Sequence, residues 1–287
     1  MRQTLEVKGI NGNGAIGTPS LEFPIGLEIF KIIMTNNSGS PSAVTTLTNF
    51  QLNVNGENVM PLNGQDIDEI NKVDGLTPYA ANSILELDFE NQKFIDGGPH
   101  QAPSLNTGVP DPKTGKIISS LQLQWQQSGA DSWTIKVVCG LPDPVGPGTI
   151  KRFQKFNDSF VSGESGTTQI QYGTAKQALQ RRVFLKASSG TISQVRLLQG
   201  LQNKEVFKRT TDENNQILAD QGKTPGTYFG YVLDWTENNM PDYLNTLTSD
   251  FVNPSTGIAI AKSYQLLTTN GAAATGTYIV ECLGAIN

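Results

Sequence analysis

Few residues of this chain could carry out bond chemistry. His100 is the only histidine, and it lies in Gly97-Gly98-Pro99-His100-Gln101-Ala102-Pro103. A general base needs a partner that orients it and a rigid setting. Nothing nearby in sequence supplies either, so His100 reads as a surface-loop residue. With only two cysteines, Cys139 and Cys282, there is little material for a transition-metal site or a nucleophilic triad. Neither a Gly-x-Ser-x-Gly elbow nor a phosphate-binding P-loop occurs. Asp88 with Glu90, and Asp234 with Glu237, could supply the two carboxylates of a glycosidase. Among 26 acids such proximity arises readily by chance, and acids at strand ends are ordinarily solvated. No catalytic residue and no cofactor is assigned.

Asp66, Asp68 and Glu69, with Asp212 and Glu213, could offer oxygens to a structural calcium ion, which takes six to eight of them. Their spacing is not that of the twelve-residue glycine-centred calcium loop. The helix dipole accounts for acids at a helix start, so no metal ligand is assigned and a structural calcium is left open. Lys151, Arg152 and Lys155, then Arg181, Arg182 and Lys186, read as solvated cations. Over an anionic bilayer they would instead face lipid headgroups. Asn36-Asn37-Ser38 and Asn157-Asp158-Ser159 match the glycosylation pattern, which without a signal peptide is expected to stand idle.

Short strands must position all of these. Leu27–Met34, Phe50–Val54, Ile84–Phe89 and Leu121–Trp125 carry apolar residues at period two, at least in part. Their polar members are mostly Gln, Asn and Thr, which suit packed interfaces where few charges need desolvation. Short helices are expected at Asp66–Val73, Asp212–Ala219 and Pro241–Leu247. The class is mainly β. Charged residues make up 16%, against about 25% in an average soluble chain. The net charge of −5 excludes a protein that binds nucleic acid by neutralising phosphates over its whole surface. No apolar run reaches the ~18 residues of a membrane span. The first residues, Met1–Lys8, form a strand pattern rather than a signal core, so a soluble, unexported chain is expected.

The sequence also contains itself twice. At a shift of 144, Gly56 falls on Gly200 and Asp68-Glu69 on Asp212-Glu213. At 146, Leu87-Asp88-Phe89 meets Leu233-Asp234-Trp235, and at 143 Cys139 meets Cys282. The order of the matches implies an internal duplication. The halves, 1–142 and 149–287, flank a Pro/Gly linker at 143–148. Each half, with some eight short strands, fits a jelly roll. Equivalent cysteines in separate barrels would stand about a barrel width apart, beyond the ~7 Å Cα separation of a disulfide. Two reduced thiols are expected.

The chain resembles the double jelly-roll major capsid proteins of tailless icosahedral phages with an internal membrane. More closely, it is similar to those of corticovirus-type phages and the related lipid-containing phages of Flavobacterium. The resemblance is carried by Leu21–Glu28 with its Pro24-Ile25-Gly26 turn. It extends to the run from Tyr228–Trp235 into Pro241–Leu247, and to the closing strand through Tyr278-Ile279-Val280-Glu281-Cys282. It implies a tandem jelly roll whose homotrimer gives a pseudo-hexagonal tile of a bacteriophage virion. It also implies assembly in the host cytoplasm, with neighbouring capsomers, penton and minor capsid proteins and membrane lipids as partners. Neither an enzyme nor a direct sequence-specific nucleic-acid contact is implied. The alternative is a carbohydrate-binding or host-attachment tandem β-sandwich, which needs Trp125, Trp133 or Trp235 to face solvent.

Overall fold

The computed structural model describes residues 2–89, 104–112, 114–142, 150–170, 179–200, 202–224, 226–235, 244–245, 251–252, 259–260 and 264–284. It forms two compact units, Met1–Phe153 with Ala285–Asn287, and Gln154–Gly284. The expected linker at 143–148 lies outside the described residues.

In the first unit, leucines and glutamines alternate through Leu121–Gln127, and the leucines are buried. That alternation, a buried face against a wetter one, recurs along most of its strands. They are β1 (Gln3–Val7), β2 (Ser20–Glu22), β3 (Glu28–Asn36), β4 (Leu47–Val54), β5 (Glu57–Asn58), β6 (Ile84–Asp88), β7 (Leu105–Asn106), β8 (Leu121–Gln127) and β9 (Trp133–Gly140). One sheet runs β1-β9-β3-β6 with β7 beside β3, and the other runs β2-β8-β4-β5. Helices α1 (Gly64–Val73) and α2 (Tyr79–Asn82) lie between β5 and β6.

The second unit repeats this plan, its first strand beginning with four residues, Ile150–Phe153, that belong to the first unit. Its elements are β10 (Ile150–Phe160), β11 (Gly163–Thr167), β12 (Leu179–Ala187), β13 (Ile192–Gln199), β14 (Lys204–Thr210), α3 (Thr211–Asp220), β15 (Tyr231–Asp234), β16 (Leu244–Asn245), β17 (Phe251–Val252), β18 (Ala259–Ile260), β19 (Tyr264–Asn270) and β20 (Ala274–Gly284). One sheet runs β10-β20-β12-β15 with β16 beside β12, and the other runs β11-β19-β13-β14. Strand for strand, the order is that of the first unit. Only the β17–β18 ribbon is added among the described residues. A five-stranded and a four-stranded antiparallel sheet wound this way make each unit a jelly roll, and the chain a double one.

Helices α1 and α3 begin on capping boxes. Asp66 accepts the Asn63 N–H at 3.0 Å. Glu213 accepts the Thr210 N–H at 2.8 Å, while the Thr210 hydroxyl accepts the Glu213 N–H at 3.3 Å. The helices therefore align Asp66 with Glu213, three residues away from the match of Asp68-Glu69 with Asp212-Glu213. Each helix is pinned to the equivalent strand by an asparagine amide. Asn71 donates to Glu86 O at 2.9 Å and Asn214 to Val232 O at 2.7 Å. The helix expected at Pro241–Leu247 is not formed where it is described: Leu244 and Asn245 pair with Gln180 and Leu179 of β12. The reason is the Leu-Asn-Thr motif of Leu244–Thr246. It repeats Leu105–Thr107, where Leu105 and Asn106 pair with β3, and pairing satisfies the backbone groups of an otherwise open strand.

The second unit's core fills the space between its sheets with Val183, Leu185, Val195, Leu197, Tyr231, Leu233, Tyr278 and Val280. Phe156 stacks on Tyr278 at 4.9 Å, and burial pushes the Tyr278 hydroxyl pKa up to about 12. In the first unit Trp125 lies 6.3 Å from Phe50 and 6.0 Å from Trp133. Gln127 ties this cluster together. Its Oε1 accepts both indole N–H groups, at 3.1 and 2.8 Å, and its Nε2 donates to Ala15 O and Asp131 O. Replacing Gln127 by Leu leaves two buried indole donors and two carbonyls without this partner. The expected loss of unfolding free energy is about 3 kcal/mol, measured by denaturant titration. A loss within experimental error would contradict this account of the core.

Candidate functional site

A gathering of buried charge in the second unit starts from a β-bulge. Between β12 and β20 the register slips between Gln180 and Arg182, opposite Cys282 and Glu281. Successive residues on a strand ordinarily point to opposite faces, and a bulge suspends that rule locally. Arg181 and Arg182 can therefore both reach Glu281. Arg182 Nε donates to Oε2 at 2.7 Å, and Arg181 stands 3.1 Å from Oε1. Asp234 lies in register opposite Arg182 and forms an ion pair with Lys223. The Arg182 guanidinium also sits 5.0 Å over the Phe184 ring. All five charged side chains are buried.

The first unit carries the same bulge, between Ile29 and Lys31 opposite Cys139 and Val138. Here the extra residue is Phe30, with the Arg2 guanidinium 4.1 Å over its ring. Lys31 lies opposite Asp88 and bonds Glu86 at 2.7 Å. Burial pushes the Lys31 pKa down, but the Glu86 hydrogen bond and the Asp88 charge outweigh it, leaving the pKa raised. Val138 stands where the second unit has Glu281, so the buried arginine pair belongs to one copy alone.

The outward faces of the β8 and β19 sheets differ as well. In the first unit Gln122, Gln124 and Gln126 lie opposite Asn53, Gln51 and Thr48. Asn49 donates to Gln126 at 2.8 Å and Asn53 to Gln122 at 3.5 Å. In the second unit Arg196 bridges Glu164 at 2.8 Å and Glu205 at 2.6 Å. An amide face and an ion-paired face thus occupy equivalent places.

The residues singled out from sequence fall as follows. His100, Glu90 and Glu237 lie outside the described residues. Cys139 and Cys282 are both buried at the same bulge and form no disulfide. Burial pushes the Cys139 thiol up, against a hydrogen bond with Gln3. Asp68 and Glu69 pair with Lys72 at 2.9 and 2.8 Å, and Asp66 and Glu213 serve as caps. Among the described residues no three His, Cys, Asp or Glu side chains gather to hold a metal ion. Asp234 is buried against Lys223 rather than facing a second carboxylate across a cleft.

The basic residues require a correction, because four of them are not solvated. Arg181 and Arg182 are buried on Glu281. Arg152 is buried and 3.1 Å from Glu57, and Lys151 donates to Asp88 O at 3.0 Å. Paired in this way, they are withdrawn from any lipid surface. Lys186 lies 3.5 Å over the Tyr228 ring. The Asn36 side chain is buried and donates to the Tyr79 hydroxyl at 3.0 Å, so that sequon cannot receive a glycan in the folded chain. Trp125 and Trp133 are buried, and Trp235 packs on Phe207 at 5.5 Å. The exposed aromatic platform of a sugar-binding site is absent at all three. The sequence reading missed Glu281, Lys223 and Gln127. Its motif rules did contain one usable signal, the Thr210-x-x-Glu213 capping box.

Two outcomes follow. Glu281→Gln leaves a buried arginine pair without its counter-charge and should lower stability by about 3–5 kcal/mol, read from chemical denaturation. An unchanged midpoint would remove the network from the account. The intact protein should add no alkyl groups in its native state and two after denaturation without reductant, measured by mass spectrometry. Zero groups after denaturation would mean a disulfide.

Comparison with known proteins gives a consistent picture. Residues 4–138 match the family described as the viral coat protein P2 N-terminal domain, and residues 150–286 match its C-terminal domain. The fold is similar to the major capsid protein P2 of bacteriophage PM2, with TM-score 0.78 and 13% identity, covering 100% of this chain and 98% of that one. It is also similar to the STIV major capsid protein, with TM-score 0.63 and 10% identity, covering 99% and 97%. A structure of the Sulfolobus Turreted Icosahedral Virus matches at TM-score 0.61 and 10% identity, covering 99% and 90%. A search of curated protein sequences finds no match.

Proposed function

The chain belongs to the viral coat protein P2 family, and from that premise we propose that three copies of it form one tile of an icosahedral shell. Its role as a major capsid protein, and its place in the virion capsid, follow from membership of the family. The proposal concerns how the subunit fills that role. The observation that carries it is the duplication, with the same strand order in both units. A threefold ring of a two-barrel chain offers six barrels and a near-hexagonal outline from one gene product. Closed cyclic symmetry is what keeps such a ring from growing into a filament.

The other features fit this use. A chain of 16% charged residues with amide-rich strand faces can form broad contacts without stripping water from many ions. The role is structural, and it rests on surfaces rather than on a reactive group or cofactor. In this reading the tile contacts neighbouring capsomers, penton and minor capsid proteins, and the shell encloses a membrane. Lipid contact would then fall to groups other than the buried arginines 152, 181 and 182. Assembly in the reducing cytoplasm of the host agrees with two buried thiols that form no bridge. The buried Trp125 and Trp133 weigh against the carbohydrate-binding alternative.

Size-exclusion chromatography with light scattering tests the tile. Three chains of 31.0 kDa each give 93.0 kDa, which is the expected mass. A stable monomer or dimer, under conditions that keep particles intact, would overturn the threefold reading.

A further inference from the structure

The duplication gives each surface of one unit a counterpart in the other, and one pair of counterparts differs sharply in burial. In the first unit the strand leading into α1 is covered. Val59, four residues before the helix N-cap Asn63, is 1% exposed. Its carbonyl accepts the Phe153 N–H at 2.8 Å. Glu57, two residues earlier, bonds the buried Arg152 at 3.1 Å. Lys151 reaches Asp88 O, and Phe153 closes an apolar hollow with Met60, Leu62, Ile67, Ile70 and Leu87. The start of β10, Ile150–Phe153, therefore seats on this edge, and all four of its residues are buried.

The second unit presents the same edge uncovered. Val206 stands four residues before its helix N-cap, Thr210, and is 45% exposed. It is the extra residue where the β13–β14 register slips between Leu197 and Leu198. Lys204, in the place of Glu57, is exposed, as are Glu205, Val206 and Lys208, while Phe207, Arg209 and Thr210 are half-buried. An open edge strand with an apolar residue invites pairing with another strand. The counterpart of β10 is β1, also an edge strand of its sheet. Its residues Gln3–Glu6 are all exposed, including Leu5 at 39%.

We infer that the β14 edge of one chain receives the β1 segment of a second copy, as β5 and its continuation receive Ile150–Phe153. The inference rests on the threefold reading and names the surface that closes it. Charge sense agrees with the exchange. The covered edge pairs acidic Glu57 with an arriving arginine. The open edge carries Lys204, Lys208 and Arg209 against a single acid, Glu205, and the arriving β1 brings Glu6, which in its own chain bonds Lys8. Because β1 and β14 are different surfaces, the contact is head-to-tail, and three such contacts close a ring. Added backbone pairing supplies affinity and the apolar residues supply register.

Val206→Asp and Leu5→Asp test this directly. Both should fold, shown by circular dichroism and melting temperature close to the parent, because the altered residues are exposed. Light scattering should then fall from 93.0 kDa for the parent to 31.0 kDa. A second route does not depend on those variants. Leu5→Cys and Val206→Cys in one chain, treated with a short bismaleimide, should give covalent trimers on a denaturing gel, whereas either substitution alone should not. The native cysteines are buried and do not compete. If the parent is trimeric while both variants stay trimeric and no covalent trimer forms, the surface is wrong and the edge serves another partner. A monomeric parent would overturn this inference together with the threefold reading.

Discussion

Each unit depends on one antiparallel pairing at the centre of a sheet, β3 with β9 and β12 with β20, interrupted by a bulge at the same place. Side chains alternate with period two, so a slip of one residue would turn the buried set outward. A bulge resists such a slip because only one alignment accommodates the extra residue. The bulge also decides what chemistry the unit can bury. With Phe30 as the extra residue, the first unit places an aromatic ring under Arg2. With Arg181, the second unit places two arginines on one glutamate. The cysteines opposite both bulges are small enough to pack there, which accounts for their matching positions without any bridge.

The two copies keep a common frame and diverge in what they show. Caps, helix-pinning asparagines and Leu-Asn edge pairs recur, and these hold the sheets and helices in place. Faces and edges do not recur. One copy has an amide face and a covered edge, and the other has an ion-paired face and an open edge. Identical copies could also close a ring head-to-tail, but all its contacts would be alike. Differing copies fix which barrel meets which around the ring. For a coat protein the divergence of surfaces therefore matters as much as the duplication of folds.

Part of this was legible in the sequence. Period-two runs such as Leu121–Trp125 mark strands because burial on one face selects apolar residues there. The repeat was readable because Leu87-Asp88-Phe89 and Leu233-Asp234-Trp235 sit at the ends of equivalent strands, β6 and β15. What the residues alone could not give was pairing across distance. Arg181-Arg182 look like a solvated basic pair until Glu281, a hundred residues later, is brought beside them. Pro241–Leu247 has helical spacing, yet its Leu-Asn dipeptide joins β12 because an open strand was available to it. Gln127 looks like one more surface amide, and only the fold shows two indoles donating to it.

Electron cryo-microscopy of the assembled shell tests the central claim most directly, because it sees barrels and symmetry together. The account predicts threefold tiles in which each chain contributes two jelly rolls, six barrels around each axis. Tiles with one barrel per chain at the lattice positions, or a shell built from another protein, would contradict it.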